Sequence, residues 1–368
     1  MKTGMDGVRA ATEPIRQWDQ ESSAAIVGAQ KIRTRRREQL DKRAKAIQRA
    51  TDKYEQLDWR NEQPDIRIRR RFIRLSTPRS DREDESWPEE VREALKADVA
   101  TRPLLTKLIH RPSNALQMYM SLLYVAHLEF EPGARWKNDR ENNGAGGWGH
   151  LCGLRAPSTA NKELNLRVTR ALTKLADHDL VRVGERKSRN RFDGFTLHRE
   201  DERQAYFVPS VSESRVLPAA FFRAGWHLVL TNEEMATLLA IIEQAGQPRS
   251  RRDAAEAGVA LPESVRWNSY GLAPEAFAAR HELEEFGLID MFDPMDRTNG
   301  KLSDTQRQAD VMRAPRITLR LKEYDFSRPA LEVVSANLRD PLPPRMVQRA
   351  LELQLLDNDG RWRGPKDA

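Results

Sequence analysis

The sequence predicts a mainly α fold with small β-hairpins, an α+β arrangement built from two similar units and preceded by a long basic helix. Three observations carry this. A Pro-free run from Ile15 to Leu57, rich in Ala, Gln, Arg, Lys and Glu, favours helix. Two later stretches, NKELNLRVTRALTKLADHDLVRV and EAFAARHELEEFGLIDMF, each place an amphipathic helix directly ahead of a short alternating strand. The steps from helix to strand, Leu175 to Leu180 and Leu283 to Leu288, lie 108 residues apart.

A chain of 368 residues suits two compact domains plus extended segments. Its net charge of +7 favours a polyanionic partner, and 48 of its 62 basic residues are Arg, the side chain suited to bidentate contact with phosphates and guanine edges. A single cysteine, Cys152, excludes an internal disulfide and a cysteine-rich zinc site, so an intracellular setting is expected. The N-terminus lacks the apolar core of a signal peptide, and the longest apolar run, Leu122 to Leu128, is far short of a membrane span. The expectation is a soluble, cytoplasmic, nucleoid-associated protein.

The elements follow in order. Residues 1–75 form a basic, largely helical N-terminal extension. Its apolar positions Ile26, Ile32, Leu40, Ile47 and Leu57 are sparse, a stripe too thin for a globular core but suited to a partner helix or to DNA. From Lys31 to Arg74 there are 16 basic and 7 acidic side chains, and Arg35, Arg36 and Arg37 are its candidate DNA contacts. Residues 76–111 are an acidic linker and an entry helix, with Ser86-Trp87-Pro88-Glu89-Glu90 as a helix start leading into Val91 to Val99.

Residues 112–210 make the first unit. Ser113 to Phe130 is a largely buried helix, and a polar loop over 131–147 ends in Gly144-Ala145-Gly146-Gly147 without the lysine and hydroxyl of a phosphate loop. Ser158 or Thr159 would cap the next helix, whose Leu164, Val168, Leu172 and Leu175 face the core. The opposite face carries Lys162, Asn165, Arg167, Thr169, Arg170, Thr173 and Lys174, side chains that reach phosphates and base edges. A hairpin follows, with Arg186, Lys187, Arg189, Asn190 and Arg191 in a tip whose charges folding does not need.

Residues 211–325 repeat the layout. Thr231 and Glu234 fit a capping box, Phe277, Leu283 and Phe286 face inward, and Glu275, Arg280, His281, Glu282, Glu284 and Glu285 make an outer face that would repel phosphates. The loop before its last strand holds Arg297, Lys301, Arg307 and Arg313, and Arg249, Arg251 and Arg252 make a further surface cluster. Residues 326–368 are a helical tail, with helices over 328–338 and 345–356.

A buried helix, a short helix, a polar-faced amphipathic helix and a two-stranded wing, in that order, resemble the winged helix-turn-helix family. The segment VTRALTKLADHDLVRV is very like the reading helix and first wing strand of such regulators. The resemblance covers about 90 residues and implies double-stranded DNA as partner, with the first unit reading the major groove and a homodimer as the working assembly. It implies a bacterial transcriptional regulator, with two alternatives left open: a plasmid-type replication initiator, whose family also resembles two joined winged helices, and a winged-helix adaptor that contacts only protein. The seven His residues show no metal-ligand spacing, so no metal, cofactor or small-molecule effector is expected, and no enzyme activity.

Overall fold

The computed structural model describes residues 6–58, 65–78, 102–111, 113–129, 138–144, 146–155, 159–200, 203–246, 258–294 and 316–339, with parts of 342–350. The first unit is taken to start ahead of the expected 112–210, with elements from the expected extension and linker, and contains β1 (Asp65–Arg69), α2 (Arg70–Ile73), α3 (Leu104–Ile109), α4 (Ala115–Glu129), α5 (Trp148–Leu151), α6 (Asn161–Asp177), β2 (Val181–Arg182) and β3 (Thr196–Leu197). The second contains β4 (Ser214–Pro218), α7 (Ala219–Arg223), α8 (Trp226–Val229), α9 (Asn232–Ala245), α10 (Glu263–Val265), a π-helical turn (Arg266–Tyr270), α11 (Pro274–Ala278), α12 (Arg280–Glu285), β5 (Ile289–Phe292) and β6 (Thr318–Leu321). Both units run strand, helices, then a two-stranded antiparallel sheet, β2 with β3 and β5 with β6.

The two units share a third sheet. β1 pairs antiparallel with β4, from Asp65 opposite Pro218 to Arg69 opposite Ser214. Behind it lies α4, in which Gln117 is the sole side chain between Ala115 and His127 that is not buried. This helix is apolar nearly all round because it sits at the centre, which explains its lack of a polar face. One contiguous hydrophobic core runs through both units, from Leu40 to Leu338.

The largest difference from the sequence reading concerns α1 (Asp6–Leu57), which is one helix whose second half belongs to the core. Leu40, Ala46, Ile47, Ala50 and Tyr54 are all buried, and the helix packs on α5, α7, α8 and α13 (Ala330–Arg339). The expectation of a stripe too thin for a core fails for a physical reason. The inward face repeats every seven residues as Arg33, Leu40, Ile47 and Tyr54, and counting apolar residues alone misses its charged members. Arg33 pairs with Glu285 at 2.5 and 2.9 Å, and Arg36 forks onto Glu234 at 2.5 and 2.8 Å.

Small residues make up the remaining deficit. Gly153, at φ +57°, lies against Ile47, where an added Cβ would sit 3.5 Å from that side chain. Gly225, at φ +82°, abuts Thr51 so closely that a Cβ would come within 2.6 Å of its methyl. Only at Gly225 does the approach of α1 itself exclude a side chain; at Gly153 the left-handed backbone is what favours glycine.

Other local expectations are met or displaced by a few residues. The Thr231–Glu234 capping box is formed in both directions, at 3.2 and 2.8 Å. Helix α6 starts after Ala160, which makes no side-chain cap, so Thr159 does not cap it, and Ser158 lies outside the described residues. The predicted start at 86–99, the basic residues 249–252 and those at 297–313 also lie outside them, as does most of 345–356, although Met346 and Ala350 are buried. The tail helix predicted over 328–338 is α13. Among the described residues, no helix is long and apolar enough to cross a membrane, and no three metal-ligating side chains converge.

Two buried histidines make stability depend on pH. His227 stacks edge-on against Tyr54, with ring centroids 4.8 Å apart, and neither ring nitrogen is hydrogen-bonded; burial holds its pKa down to about 3. His127 donates from Nδ1 to the Leu123 carbonyl and accepts the Arg67 amide at Nε2, and burial, reinforced by Arg67 and Arg69, holds it to about 4. The unfolded chain protonates both near 6.5, so it binds more protons than the native state below that pH. The stability they contribute is complete above about pH 6.5 and is lost as pH falls toward 4 and 3, on the order of 2 kcal/mol for each by pH 5. Tm is therefore expected to drop between pH 7 and 5, and His227→Phe should flatten part of that drop; an unchanged pH profile in this variant would acquit His227.

Candidate nucleic-acid interface

The outward face of α6 exists because the inward one is fully used. Leu164, Val168, Ala171, Leu172 and Leu175 are buried against the core, which turns Lys162, Asn165, Leu166 and Arg170 to solvent. Among the described residues, Lys162, Asn165 and Arg170 make no hydrogen bond or ion pair. Arg167 is half-buried and pairs along the helix with Glu163. The hydroxyls of Thr169 and Thr173 donate to backbone carbonyls of their own helix, at Leu166 and Thr169.

Lys174 does something else. Its Nζ donates to the carbonyls of Leu108 (2.6 Å) and Arg111 (2.8 Å), so it caps the end of α3 and anchors α6 to it. Burial and the nearby Arg111 lower its pKa. The sequence reading of Lys174 as a base-reaching side chain is corrected accordingly.

The hairpin tip spans residues 184–194 and is closed by the Gly184 amide on the Arg191 carbonyl at 2.7 Å. Arg186, Lys187, Arg189 and Asn190 are exposed, whereas Arg191 is half-buried with its guanidinium 5.0 Å from the Phe192 ring centre. The loop before α5 holds the tip in place. Asn142 donates to the Phe192 carbonyl and the Asp193 carboxylate, while Asn138 accepts the Trp148 indole N–H at 3.1 Å.

These parts meet in one groove. Asn165 and Thr169 of α6 form one wall, Arg189, Asn190 and Phe192 of the tip another, and residues 138–143 the floor. The lining holds three acids, Asp139, Glu141 and Asp193, against two arginines, Arg140 and Arg189, so the positive charge of this region lies mainly outside the groove, on the exposed Arg186 and Lys187 of the tip. Sequence reasoning passed over Leu166, 46% exposed amid the polar face, which suits contact with a thymine methyl. It also passed over Arg49 and Arg155, which flank His150 and, after burial itself, lower its pKa. No local pattern distinguishes those two arginines from other surface charges.

The three arginines assigned to α1 do not act together. Arg35 is exposed and Arg37 half-buried, but Arg36 is committed to Glu234 and lies 5.2 Å from the Phe286 ring centre. In the second unit, the face expected to be exposed is largely interior. Arg280, His281, Glu282 and Glu284 are buried, Glu285 serves Arg33, and only Glu275 is exposed. The lone thiol, Cys152, is fully buried, which pushes its pKa up to about 12 and removes it as a nucleophile near neutral pH.

In comparisons with known proteins, the chain matches no family model, no curated protein and no solved structure.

Proposed function

We propose that this chain is a sequence-specific double-stranded DNA-binding protein of winged-helix type. In this reading α6 enters the major groove with Asn165 and Arg170 toward base edges, and the 184–194 tip follows the sugar-phosphate backbone. The observation that carries it is the groove in which Asn165 and Thr169 of α6 lie beside Arg189 and Asn190 of the tip. Regulation of transcription is the first assignment. The duplicated element order with a shared β1–β4 sheet favours a second, a plasmid-type replication initiator with one reading unit and one assembling unit.

Selection from a pool of random duplexes tests this. A defined site should be enriched, with affinity that falls steeply from low to moderate salt. Enrichment of no sequence at any ionic strength would refute DNA reading and leave protein contact as the role. A site beside a promoter supports the regulator, and an iterated array beside an origin the initiator. Asn165→Ala or Arg170→Ala should erode discrimination at one base position by about tenfold while leaving affinity for unrelated duplexes unchanged.

A further inference from the structure

An open cleft of about 550 Å³ lies where α1 meets both units. One wall is α1, from Arg36 to Arg43, the second is the start of α4 around Leu116, and the third is the turn from α8 into α9 over 227–235. Asn232 ties the last two together by donating to the Ser113 carbonyl at 3.2 Å. Sites for small organic molecules commonly enclose about 300–1,000 Å³, so the cleft has the size for one. It shares no lining residue with the groove between α6 and the tip.

The floor is apolar, since Leu40, Leu116, Leu228 and Met235 are each 5% exposed or less. The two arginines of the lining are used unequally. Arg36 is spent on Glu234. Arg43 has no such acid: its guanidinium reaches the Gly153 carbonyl, at 3.4 Å from both Nε and Nη2, and among the described residues no carboxylate pairs with it. Burial and the neighbouring Arg167 lower its pKa, so its charge is poorly served where it stands.

Across the cleft, the first turn of α9 adds donors. The capping box satisfies the amides of Thr231 and Glu234, whereas those of Asn232 and Glu233 have no acceptor within the helix. Glu233, the acid of the lining, is itself exposed. A half-buried cation over an apolar floor, with backbone amides opposite, is complementary to an anion carried on an apolar body.

We infer that this cleft binds a small organic anion, its acidic head at Arg43 and its apolar body over Leu116 and Met235. The inference does not rest on DNA reading by α6. The probe is 1-anilinonaphthalene-8-sulfonate, with N-phenyl-1-naphthylamine, the same body without the acid, as its control. Fluorescence titration of the full chain should saturate at one equivalent of the sulfonate, and the neutral amine should bind at least tenfold more weakly. Arg43→Gln should weaken the sulfonate about tenfold and leave the amine unchanged.

Because Arg43 also holds the Gly153 carbonyl, Gln39→Glu serves as a second variant. Gln39 is exposed on the cleft wall, so a carboxylate there should weaken the sulfonate about threefold by like-charge repulsion without disturbing the fold. Arg186→Gln/Arg189→Gln in the hairpin tip should leave both probes unaffected. Saturating sulfonate should raise Tm, because it binds the native state. The site is overturned by absence of saturable sulfonate binding, by equal affinity for the two probes, or by sulfonate binding that survives both cleft substitutions or falls with those in the tip. A lowered Tm would overturn it too, by placing the probe on the unfolded chain.

Discussion

Changing Arg186, Lys187, Arg189 and Arg191 together to Ala is expected to weaken binding to every duplex alike while leaving base preference intact. The reasoning is electrostatic. Three of these side chains are exposed and the fourth is half-buried beside Phe192, so none is needed to pack the hairpin. Each phosphate deprived of its basic partner keeps its condensed counterions, and the slope of log affinity against log salt shrinks by about 0.9 per phosphate. Removing three to four such charges lowers that slope by about 3, so the variant's deficit is roughly 50-fold larger at 50 mM than at 200 mM salt. Tm should not move. Unchanged affinity at low salt would take the tip out of the interface, and a changed base preference would mean that it reads sequence.

Tyr54→Ala should destabilise the whole protein, by about 3–5 kcal/mol. Tyr54 is fully buried in α1, its hydroxyl donates to the Leu151 carbonyl at 3.0 Å, and its ring meets Tyr124 and His227 edge-on at 5.0 and 4.8 Å. One side chain thus joins α1 to both units. A loss of that size is a large part of the total stability of an ordinary domain and, spread over the unfolding entropy of a chain this long, lowers Tm by roughly 5 °C. Ile32→Ala, at a side chain 65% exposed on the same helix, should change Tm little. Equal and small effects at both positions would return α1 to the accessory role that its sequence suggested.

What the sequence revealed and what it hid divide by range. The capping box at Thr231 and Glu234 and the buried stripe of α6 depend on residues three or four apart, so their patterns are complete within a few turns of chain. Lys174 looked like a member of a polar face because the carbonyls it serves lie 63 and 66 residues earlier. Arg36 reads as a DNA contact, and Arg33 as one more charge of the basic stretch, because Glu234 and Glu285 come 198 and 252 residues later. The acids of α12 were misread for the matching reason: a helix surface rich in Glu reads as exposed unless the arginine that meets it is already known. Among the described residues, Arg186, Lys187 and Arg189 of the hairpin tip meet no distant carboxylate, so their local pattern and their surroundings agree.

The docking of α1 also sets the order in which the chain can be completed. Arg33 bonds to the Asn337 carbonyl, 304 positions along, and α1 packs on α13, while β1 waits for β4 about 150 residues downstream. During synthesis the first helix therefore emerges long before its seat exists: Ile47 and Tyr54 wait for partners between Tyr124 and His227, and the Arg33 end waits for Glu285 and Asn337. Such non-local closure slows folding and prolongs exposure of apolar surface, a stage at which a chaperone would find its hold.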